Sequence, residues 1–497
     1  MSKKGRVLTS ILTVVVLLAG TAFLLLRNSS FLQATTGKEL ANIKVEGNKV
    51  TVDLVAKETE TELAPGVKMP VWTYNGTVPG QEIRVKQGQD ITVNLKNELS
   101  VPATIHWHGY PVPNDQDGVP GLTQETVKPG QTFTYNFNAK MAGTYWYHSH
   151  EDSANQVGKG LAGTLIVEKN DEQQKPDKDL TVMLQEWVKP MAGMDHSNMS
   201  GMDHSQMMTQ DTSTMDHMAM YNLFTVNGKS GSLIDPLKVK TGDKIRVRFI
   251  NAGFQTRLMD FGNVSYKVVS TDGQDIQQPA EMKGKLLPIA AGERYDVEFT
   301  VPSSSFMIYD RTDRPAAKDI QILVENKKNK QVEKEVVNTE KFDITQYGKG
   351  KAVAASKYNK EYKLAFEDVA DPSVDMGMRY TINGKSFPNG PEIIVDNNDV
   401  VKITYENKGK AVHPMHVHGH FFKVLTKNGK PVTDNIYKDT LLVEPNEIFE
   451  IELKADNPGN WMYHCHDLHH AASGMTLMVK YNGFTPSVNA DPKTVKE

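Results

Sequence analysis

The stretch HCHDLHHAASGM, residues 464–475, contains the only cysteine of this 497-residue chain, with a histidine on each side of it. Successive side chains of a β-strand point to opposite faces, so the two flanking histidines share one face while Cys465 lies on the other. One thiolate, two imidazoles and a weak axial thioether form the ligand set of a blue copper electron-transfer site. The same stretch supplies His470 and Met475 for such a site, and His413 can supply the second imidazole from upstream.

Four His-x-His pairs accompany the cysteine, and each pair can direct two imidazoles to one side of a strand. The pairs are His106/His108, His148/His150, His416/His418 and His464/His466. Eight imidazoles are too many for one ion, and imidazole favours copper, zinc or iron over calcium or magnesium. The pairs therefore predict a metal cluster to which both ends of the chain contribute. An electron that enters at Cys465 has a covalent path one residue long to this cluster.

Short apolar runs separated by turn residues make the chain all-β from about residue 40 onward. Asn-Gly dipeptides at 75–76, 227–228 and 383–384 are each followed by a short polar turn and a strand. Their offsets of roughly 150 residues predict three copies of one Greek-key β-sandwich. We place the domains at 37–172, 173–330 and 331–484, and a C-terminal tail at 485–497.

The first 36 residues differ from the rest. Basic residues precede a largely apolar run at 7–26, which is about as long as a bilayer-spanning helix. The positive flank predicts that the N-terminus stays inside and that the remainder is exported. The best cleavage site, at 32–34, has a large residue at its −3 position, so an uncleaved anchor is favoured over a cleaved signal. The body is predicted to lie at the outer face of the cytoplasmic membrane or to be secreted.

A methionine-rich segment at 191–220 fits neither a strand nor an ordinary loop. It holds nine of the 22 methionines and three histidines. Soft sulfur ligands select Cu(I), and exposed thioethers without a purpose are an oxidation liability. We interpret the segment as a copper-acquisition element inserted in the second domain, and the alternative is an inert low-complexity linker. The net charge of −4 gives no footprint for nucleic acid.

In the order and spacing of these motifs the chain resembles the multicopper oxidases over about residues 40–482. That three-domain group includes laccases and bacterial copper-tolerance oxidases. The resemblance implies three cupredoxin-like domains and four copper ions: a type 1 blue copper, a type 2 copper and a type 3 pair. It also implies one-electron oxidation of a reducing substrate coupled to four-electron reduction of O₂ to water.

The resemblance assigns each site residue by motif. The blue copper takes His413, Cys465, His470 and Met475. The type 2 copper takes His106 and His416. One type 3 copper takes His108, His148 and His466, and the other takes His150, His418 and His464. Asp117, in the motif DGVPG, matches an acid of the family that assists proton delivery.

Two departures from the family pattern concern acids. Many relatives carry Glu or Asp after the second blue-site histidine, where this chain has Ala471. Glu151 and Asp152 are weak candidates to replace it. The acidic and methionine residues with which some cuprous oxidases bind substrate have no clear match in the stretch 409–412.

Several alternatives remain open at the level of sequence. His469 could replace His470 as the blue-site ligand, and otherwise His469 and His420 are expected to be bystanders. Asp260, Asp272 and Asp439 are interpreted as structural residues of strands and turns. We expect Cu(I) to be the substrate of a monomeric enzyme that serves copper tolerance. The other functions considered are a laccase-type oxidase of phenols, Mn(II) or Fe(II), and a non-enzymatic copper-sequestering protein.

Overall fold

The computed structural model describes residues 42–189, 217–351, 356–374, 377–488, 491 and 494–495. The predicted anchor and most of the methionine-rich segment lie outside these residues. No helix of the described part is long and apolar enough to cross a membrane. The described residues from Ile43 onward belong to one unit of the chain.

The prediction of an all-β protein with three cupredoxin-like sandwiches is confirmed. The first sandwich consists of β1 (Ile43–Glu46), β2 (Lys49–Ala64), β3 (Val67–Tyr74), β4 (Gly80–Lys86), β5 (Asp90–Asn97), β6 (His106–His108), β7 (Thr132–Asn138), β8 (Gly143–His148) and β9 (Ala162–Glu168). Its strands form one sheet in the order β1-β2-β5-β7, with β3 beside β2, and a second sheet in the order β4-β9-β8-β6. A 3-10 turn, Asn114–Gln116, lies on the connection from β6 to β7, between the two sheets, and a short helix, Ser153–Gly158, lies between β8 and β9 of the second sheet.

The second sandwich repeats this plan with more strands. It consists of β10 (Lys178–Trp187), β11 (Leu223–Val226), β12 (Leu237–Val239), β13 (Lys244–Asn251), β14 (Arg257–Asp260), β15 (Tyr266–Thr271), β16 (Gln274–Asp275), β17 (Glu281–Met282), β18 (Leu286–Ile289), β19 (Arg294–Thr300), β20 (Phe306–Asp310) and β21 (Gln321–Asn326). The sheets run β11-β10-β13-β19-β15-β16, with β17 beside β15, and β12-β21-β20-β14-β18. The 3-10 turns are His217–Met220, Gly231–Leu233 and Pro315–Asp319, and a further one, Ile344–Gln346, lies between the last strand of this sandwich and the first of the third.

The third sandwich has the same strand order as the second. It consists of β22 (Lys360–Ala370), β23 (Met378–Ile382), β24 (Glu392–Val395), β25 (Val400–Asn407), β26 (His413–Val417), β27 (Phe422–Lys427), β28 (Lys430–Pro431), β29 (Tyr437–Lys438), β30 (Thr440–Val443), β31 (Ile448–Lys454), β32 (Asn460–Cys465) and β33 (Thr476–Tyr481). The sheets run β23-β22-β25-β31-β27-β28, with β29 beside β27, and β24-β33-β32-β26-β30. A short helix, Leu468–Ala472, follows β32.

The Asn-Gly repeat has the same local structure in all three sandwiches. Asn75, Asn227 and Asn383 each adopt a left-handed backbone with φ of 61°, 49° and 54°, a conformation that asparagine tolerates better than most residues. In each copy the side-chain oxygen accepts a hydrogen bond from a strand N–H, at 2.7, 2.8 and 2.8 Å. The amide group donates back to a carbonyl two residues earlier on that strand. The repeat therefore ties each turn to the strand of its own sheet.

Strand pairing brings the histidine pairs together. In the first sandwich β6 lies antiparallel to β8, with His106 opposite His148. In the third, β26 lies antiparallel to β32, with His416 opposite His464 and Met415 opposite Cys465. Because side chains alternate along a strand, each sheet directs a patch of imidazoles to one side.

Candidate metal centre

Eight histidines, four from each of two sandwiches, line one buried cavity. His106 and His418 stack with ring centroids 3.8 Å apart, and His108 and His416 stack at the same distance. Ring nitrogens approach within 4.8 Å of one another in three sets, namely His106/His108/His416, His108/His148/His466 and His150/His418/His464. The structure thus unites all eight imidazoles that the sequence analysis selected.

In six of these histidines one ring nitrogen bonds to an oxygen atom of the protein. Nδ1 of His106, His148 and His416 donates to the backbone carbonyls of Asp117, Ser149 and Asp439, at 2.8, 2.9 and 3.1 Å. A carbonyl only accepts, so the opposite nitrogen, Nε2, carries a lone pair toward the cavity. Within the described residues, Nε2 of these three rings has no hydrogen-bond partner although it is buried. Buried polar atoms left unpaired in this way are explained by an ion between them, and the donor set fits copper.

Five of the eight cavity imidazoles have a lowered pKa and stay neutral. Burial is the largest cause, and the neighbouring histidines add to it: together they lower the pKa of His108, His148, His418 and His466 well below the usual value. Burial also lowers the pKa of His416, to about 3, although Asp439 opposes the shift. Neutral imidazole is the form that binds metal, so the cavity holds its ligands ready at neutral pH.

Asp117 joins the two halves of the cavity. Its carboxylate accepts a hydrogen bond from His418 Nδ1 at 2.9 Å and lies 3.2 Å from His106 Nδ1. It is fully buried on the first sandwich, and His418 belongs to the third. Oxygen partners on the outer nitrogens of metal-binding histidines fix their orientation and raise their basicity.

A second buried pocket surrounds Cys465 on the other side of β32. Its Sγ lies 3.8 Å from His413 Nδ1 and 3.7 Å from His470 Nδ1, and all three side chains are buried. Met475 is also buried, and its carbonyl accepts a hydrogen bond from the Cys465 N–H at 3.0 Å. Burial raises the pKa of the Cys465 thiol well above its usual value. Only a bound cation would hold this sulfur as a thiolate at neutral pH, as metal coordination does.

Two aspartates that the sequence analysis did not select support this pocket. Asp368, from β22, lies 3.5 Å from His413 Nε2, and Asp467 lies 3.2 Å from His470 Nε2. Burial opposes ionisation of Asp368, but hydrogen bonds from His413 and from two backbone N–H groups lower its pKa to about 2. Burial raises the pKa of Asp467 to about 8. Each outer nitrogen thus faces a carboxyl group while Nδ1 faces the sulfur.

The remaining histidines and acids occupy other positions. His469 Nε2 bonds to the Tyr221 hydroxyl at 2.6 Å, and His420 Nε2 bonds to the Tyr481 hydroxyl at 2.6 Å. Asp260 pairs with Arg311, as expected of a structural residue. Asp439 is interpreted from the sequence as a structural residue, but its carboxylate also lies 3.3 Å from Nδ1 of the cavity residue His416. Its contacts come from distant strands, so its local sequence could not reveal them.

Three family models, each described as multicopper oxidase, match residues 55–172, 178–328 and 355–483. The chain therefore belongs to the multicopper oxidase family, whose members are copper-dependent oxidoreductases that use O₂ and a reducing substrate.

Individual relatives agree with this placement. The multicopper oxidase MmcO of Mycobacterium tuberculosis is 28% identical over 459 residues, 88% of each chain. Copper resistance protein A of Escherichia coli is 29% identical over 302 residues, which cover 52% of this chain and 48% of that one. The crystal structure of a multicopper oxidase from Pseudomonas thermotolerans superposes with a TM-score of 0.66 at 26% identity, covering 87% of this chain and 99% of that one.

Proposed function

We propose that this multicopper oxidase oxidises Cu(I) outside the cytoplasmic membrane, where it serves copper tolerance. Four one-electron oxidations would be coupled to the reduction of one O₂ to two waters. The similarity to a copper resistance protein supports this substrate, although it covers only half of each chain. Domain boundaries near residues 172 and 330 belong to the same proposal, since β9 ends at Glu168 and β21 at Asn326.

The residues divide between two kinds of copper site. The blue copper would be held by His413, Cys465, His470 and Met475. The type 2 copper would take His106 and His416, and the type 3 pair would take His108, His148 and His466 on one ion and His150, His418 and His464 on the other. Copper in these sites would supply one-electron redox chemistry and O₂ reduction.

The peptide chain connects the two centres by the shortest possible path. Cys465 faces the blue-site pocket, while its neighbours His464 and His466 face the cavity. One residue on either side of the sulfur therefore separates the place where an electron enters from the place where O₂ would react. Water has little access to either centre, because Cys465 and both histidines are fully buried.

The observation that carries the choice of Cu(I) is the position where the methionine-rich segment ends. Its last described turn, His217–Met220, leads into Tyr221, whose hydroxyl bonds to His469, the residue next to His470. Met218 and Met220 are half-buried against the core cluster that runs through the second and third sandwiches. The turn that carries these two thioether side chains is therefore joined through Tyr221 to the helix Leu468–Ala472, which holds His470. Thioether is the ligand type that selects Cu(I).

Asp368 supports a cationic substrate at this entrance. Its carboxylate touches the outer nitrogen of His413, and its lowered pKa keeps it negative at neutral pH. The neighbouring residues Val369 and Val412 are 45% and 37% exposed, so little protein covers this edge of the blue-site pocket. A negative group at a thinly covered entrance attracts cations and leaves a neutral phenol unaffected.

The test compares Cu(I) with a phenolic dye at matched copper content. A deletion of residues 191–216 leaves the docked turn and Tyr221 in place, so the fold around the blue site is retained. We expect this deletion, and separately the pair Met218→Leu and Met220→Leu, to raise KM for Cu(I) while the rate with the dye persists. Met141→Leu, a half-buried methionine of the first sandwich, is the matched control.

Three other outcomes would contradict the proposal. Equal losses for both substrates, or none for either, would leave the segment as a linker. A high phenol rate without added copper would favour a laccase-type oxidase. A wild-type protein that binds copper without a blue absorption band would instead be a copper-sequestering protein.

A further inference from the structure

A loop of the second sandwich forms part of the wall of the histidine cavity, although that sandwich contributes none of the eight histidines. Gly292, in this loop, has φ of +83°, and a Cβ built there would lie 2.7 Å from His466 Cγ and 3.1 Å from His108 Cε1. Real Cβ atoms essentially never show the first of these contacts, and the second is tighter than nine in ten real Cβ contacts. Only glycine permits this backbone to press against imidazoles of both other sandwiches.

Arg294, two residues later, connects all three sandwiches. It is fully buried, and its guanidinium makes a two-pronged ion pair with Asp439 of the third sandwich, with Nη1 2.7 Å from Oδ1. Its Nε donates to the Thr144 carbonyl of the first sandwich at 3.2 Å. Nη1 also donates to the Gly292 carbonyl at 3.1 Å, so the same side chain holds the loop in shape. Paired, planar contacts of this kind fix orientation as well as charge.

The partner of Arg294 contacts two of the cavity histidines directly. Oδ1 of Asp439 lies 3.3 Å from His416 Nδ1 and 3.4 Å from His108 Nε2. The Thr440 hydroxyl donates to the same carboxylate at 2.8 Å and lies 3.1 Å from His416 Nδ1. Both histidines therefore take their orientation from one short stretch, and that stretch takes its own from Arg294.

Asp272, also of the second sandwich, fixes the backbone of the same stretch. It accepts hydrogen bonds from the N–H groups of Asp439 and Thr440, at 3.2 and 3.1 Å. It also accepts from the Arg294 N–H at 2.9 Å and pairs with the buried Lys438 at 3.1 Å. Every group in this arrangement is buried, so breaking one contact leaves a charge without its partner.

We propose that Arg294 is a positioning residue for the type 2 copper, acting through Asp439 on its ligand His416; the same carboxylate also lies beside His108, a proposed type 3 ligand. The second sandwich would then determine whether the cavity binds its full complement of copper. This inference rests on the proposed function, because it takes His416 as a type 2 ligand. Loss of a partner on the outer nitrogen of a ligating histidine typically lowers metal affinity roughly 10- to 100-fold.

The chain offers a matched control in Arg248. This arginine is also a buried residue of the second sandwich, and it also contacts Thr144, donating to the hydroxyl at 2.7 Å. It pairs with two carboxylates, Asp179 and Asp296. Neither of them contacts a cavity histidine through any described ion pair. A purely structural effect of losing a buried arginine would therefore appear in both variants.

The experiment compares Arg294→Lys with Arg248→Lys in the full-length, copper-reconstituted protein. Copper per chain, the type 2 signal in electron paramagnetic resonance and the blue absorption band are measured against free copper concentration. We expect Arg294→Lys to need roughly 10- to 100-fold more free copper for its type 2 signal, with an unchanged blue band. Arg248→Lys should retain both signals, even if its thermal unfolding temperature falls as far as that of Arg294→Lys.

Two further variants keep the inference testable if Arg294→Lys fails to fold. Asp439→Asn preserves shape and should reproduce the loss of the type 2 signal, and Gly292→Ala should disturb the cavity from the His466 side. The inference is overturned if Asp439→Asn binds the type 2 copper like wild type, or if Arg248→Lys loses it equally. A wild-type protein with no type 2 signal would instead refute the proposed function.

Discussion

The blue-site pocket and the histidine cavity are built on opposite faces of one strand, yet they depend on the fold in different ways. All residues of the pocket come from the third sandwich, where β26 and β32 are neighbours in one sheet. The cavity joins groups as far apart in sequence as Asp117 and His418, which are 301 positions apart. The ligands of one site therefore come from a single domain, and those of the other come together only where the first and third sandwiches meet.

The two centres also differ in how many carboxyl groups lie beside their imidazoles. Each imidazole of the blue-site pocket faces a carboxyl group, Asp368 or Asp467. The cavity packs eight imidazoles beside two carboxyl groups of the described residues, Asp117 and Asp439, and burial with the neighbouring histidines lowers the pKa of five of these imidazoles. Burial lowers the pKa of His413 in the pocket as well, with Asp368 opposing the shift, so we expect acid to act on both centres and most strongly on the cavity, where more imidazoles are affected.

The largest expected effect is the loss of the blue site without loss of the copper in the cavity. Cys465→Ser should abolish the blue absorption band and the oxidation of every substrate, because the sulfur is the only thiolate that the chain offers. The cavity should keep its copper, since its imidazoles are unchanged. Visible absorption and copper analysis check this, and a blue Cys465→Ser protein would refute the assignment.

Acid should weaken the copper-free protein through the cavity. The pKa of His416 is lowered to about 3, so below the ordinary value of about 6.5 the unfolded chain binds a proton that the folded chain does not. Stability therefore falls as pH falls, by about 3 kcal/mol between pH 6.5 and pH 4 from His416 alone.

Denaturant unfolding of the copper-free protein across this range measures the effect. The copper-loaded protein is the control, since bound metal keeps protons off the ring until it dissociates. A copper-free protein with constant stability from pH 7 to pH 4 would contradict the neutral cavity.

Asp117→Asn should slow only the half of the reaction that takes place in the cavity. It removes the charge beside His418 and His106, and we expect reoxidation of the reduced enzyme by O₂ to slow roughly 10- to 100-fold. Reduction of the blue site by substrate should keep its rate. Stopped-flow absorption follows both halves, and Asp115→Asn, at an exposed residue two positions earlier, is the control. Equal slowing of both halves would count against this division.

The smallest expected effect is confined to the blue-site pocket. Met475→Leu should retain copper and raise the potential of the blue site, because a thioether ligand stabilises Cu(II) weakly and its loss favours Cu(I). Potentiometric titration tests this, with Met478→Leu, a buried methionine on β33, as the control. A lower or unchanged potential in Met475→Leu would remove Met475 from the ligand set.

The sequence by itself determined the parts that depend on local geometry. Alternation along a strand put the members of each His-x-His pair on one face and Cys465 on the other. The Asn-Gly dipeptides revealed three sandwiches because a left-handed turn restricts its residues strongly. In the polar turn that follows each dipeptide, Asn398 of the third copy, with φ of 71°, stands where the first two copies have Gly88 and Gly242. The resemblance to the family, through its ligand spacing, favoured His470 over His469, and the structure places the His470 ring beside the sulfur.

Only the tertiary structure decided which groups lie next to the outer nitrogens of the imidazoles. Asp368, Asp467 and Asp439 look like ordinary turn and strand acids in sequence, and Arg294 and Gly292 lie in a domain without any of the eight histidines. Their contacts with histidines arise where separate strands or sandwiches meet, and no local periodicity encodes such meetings. Short-range rules fix where a side chain points along its own strand, whereas its partner across an interface is fixed by how whole domains pack.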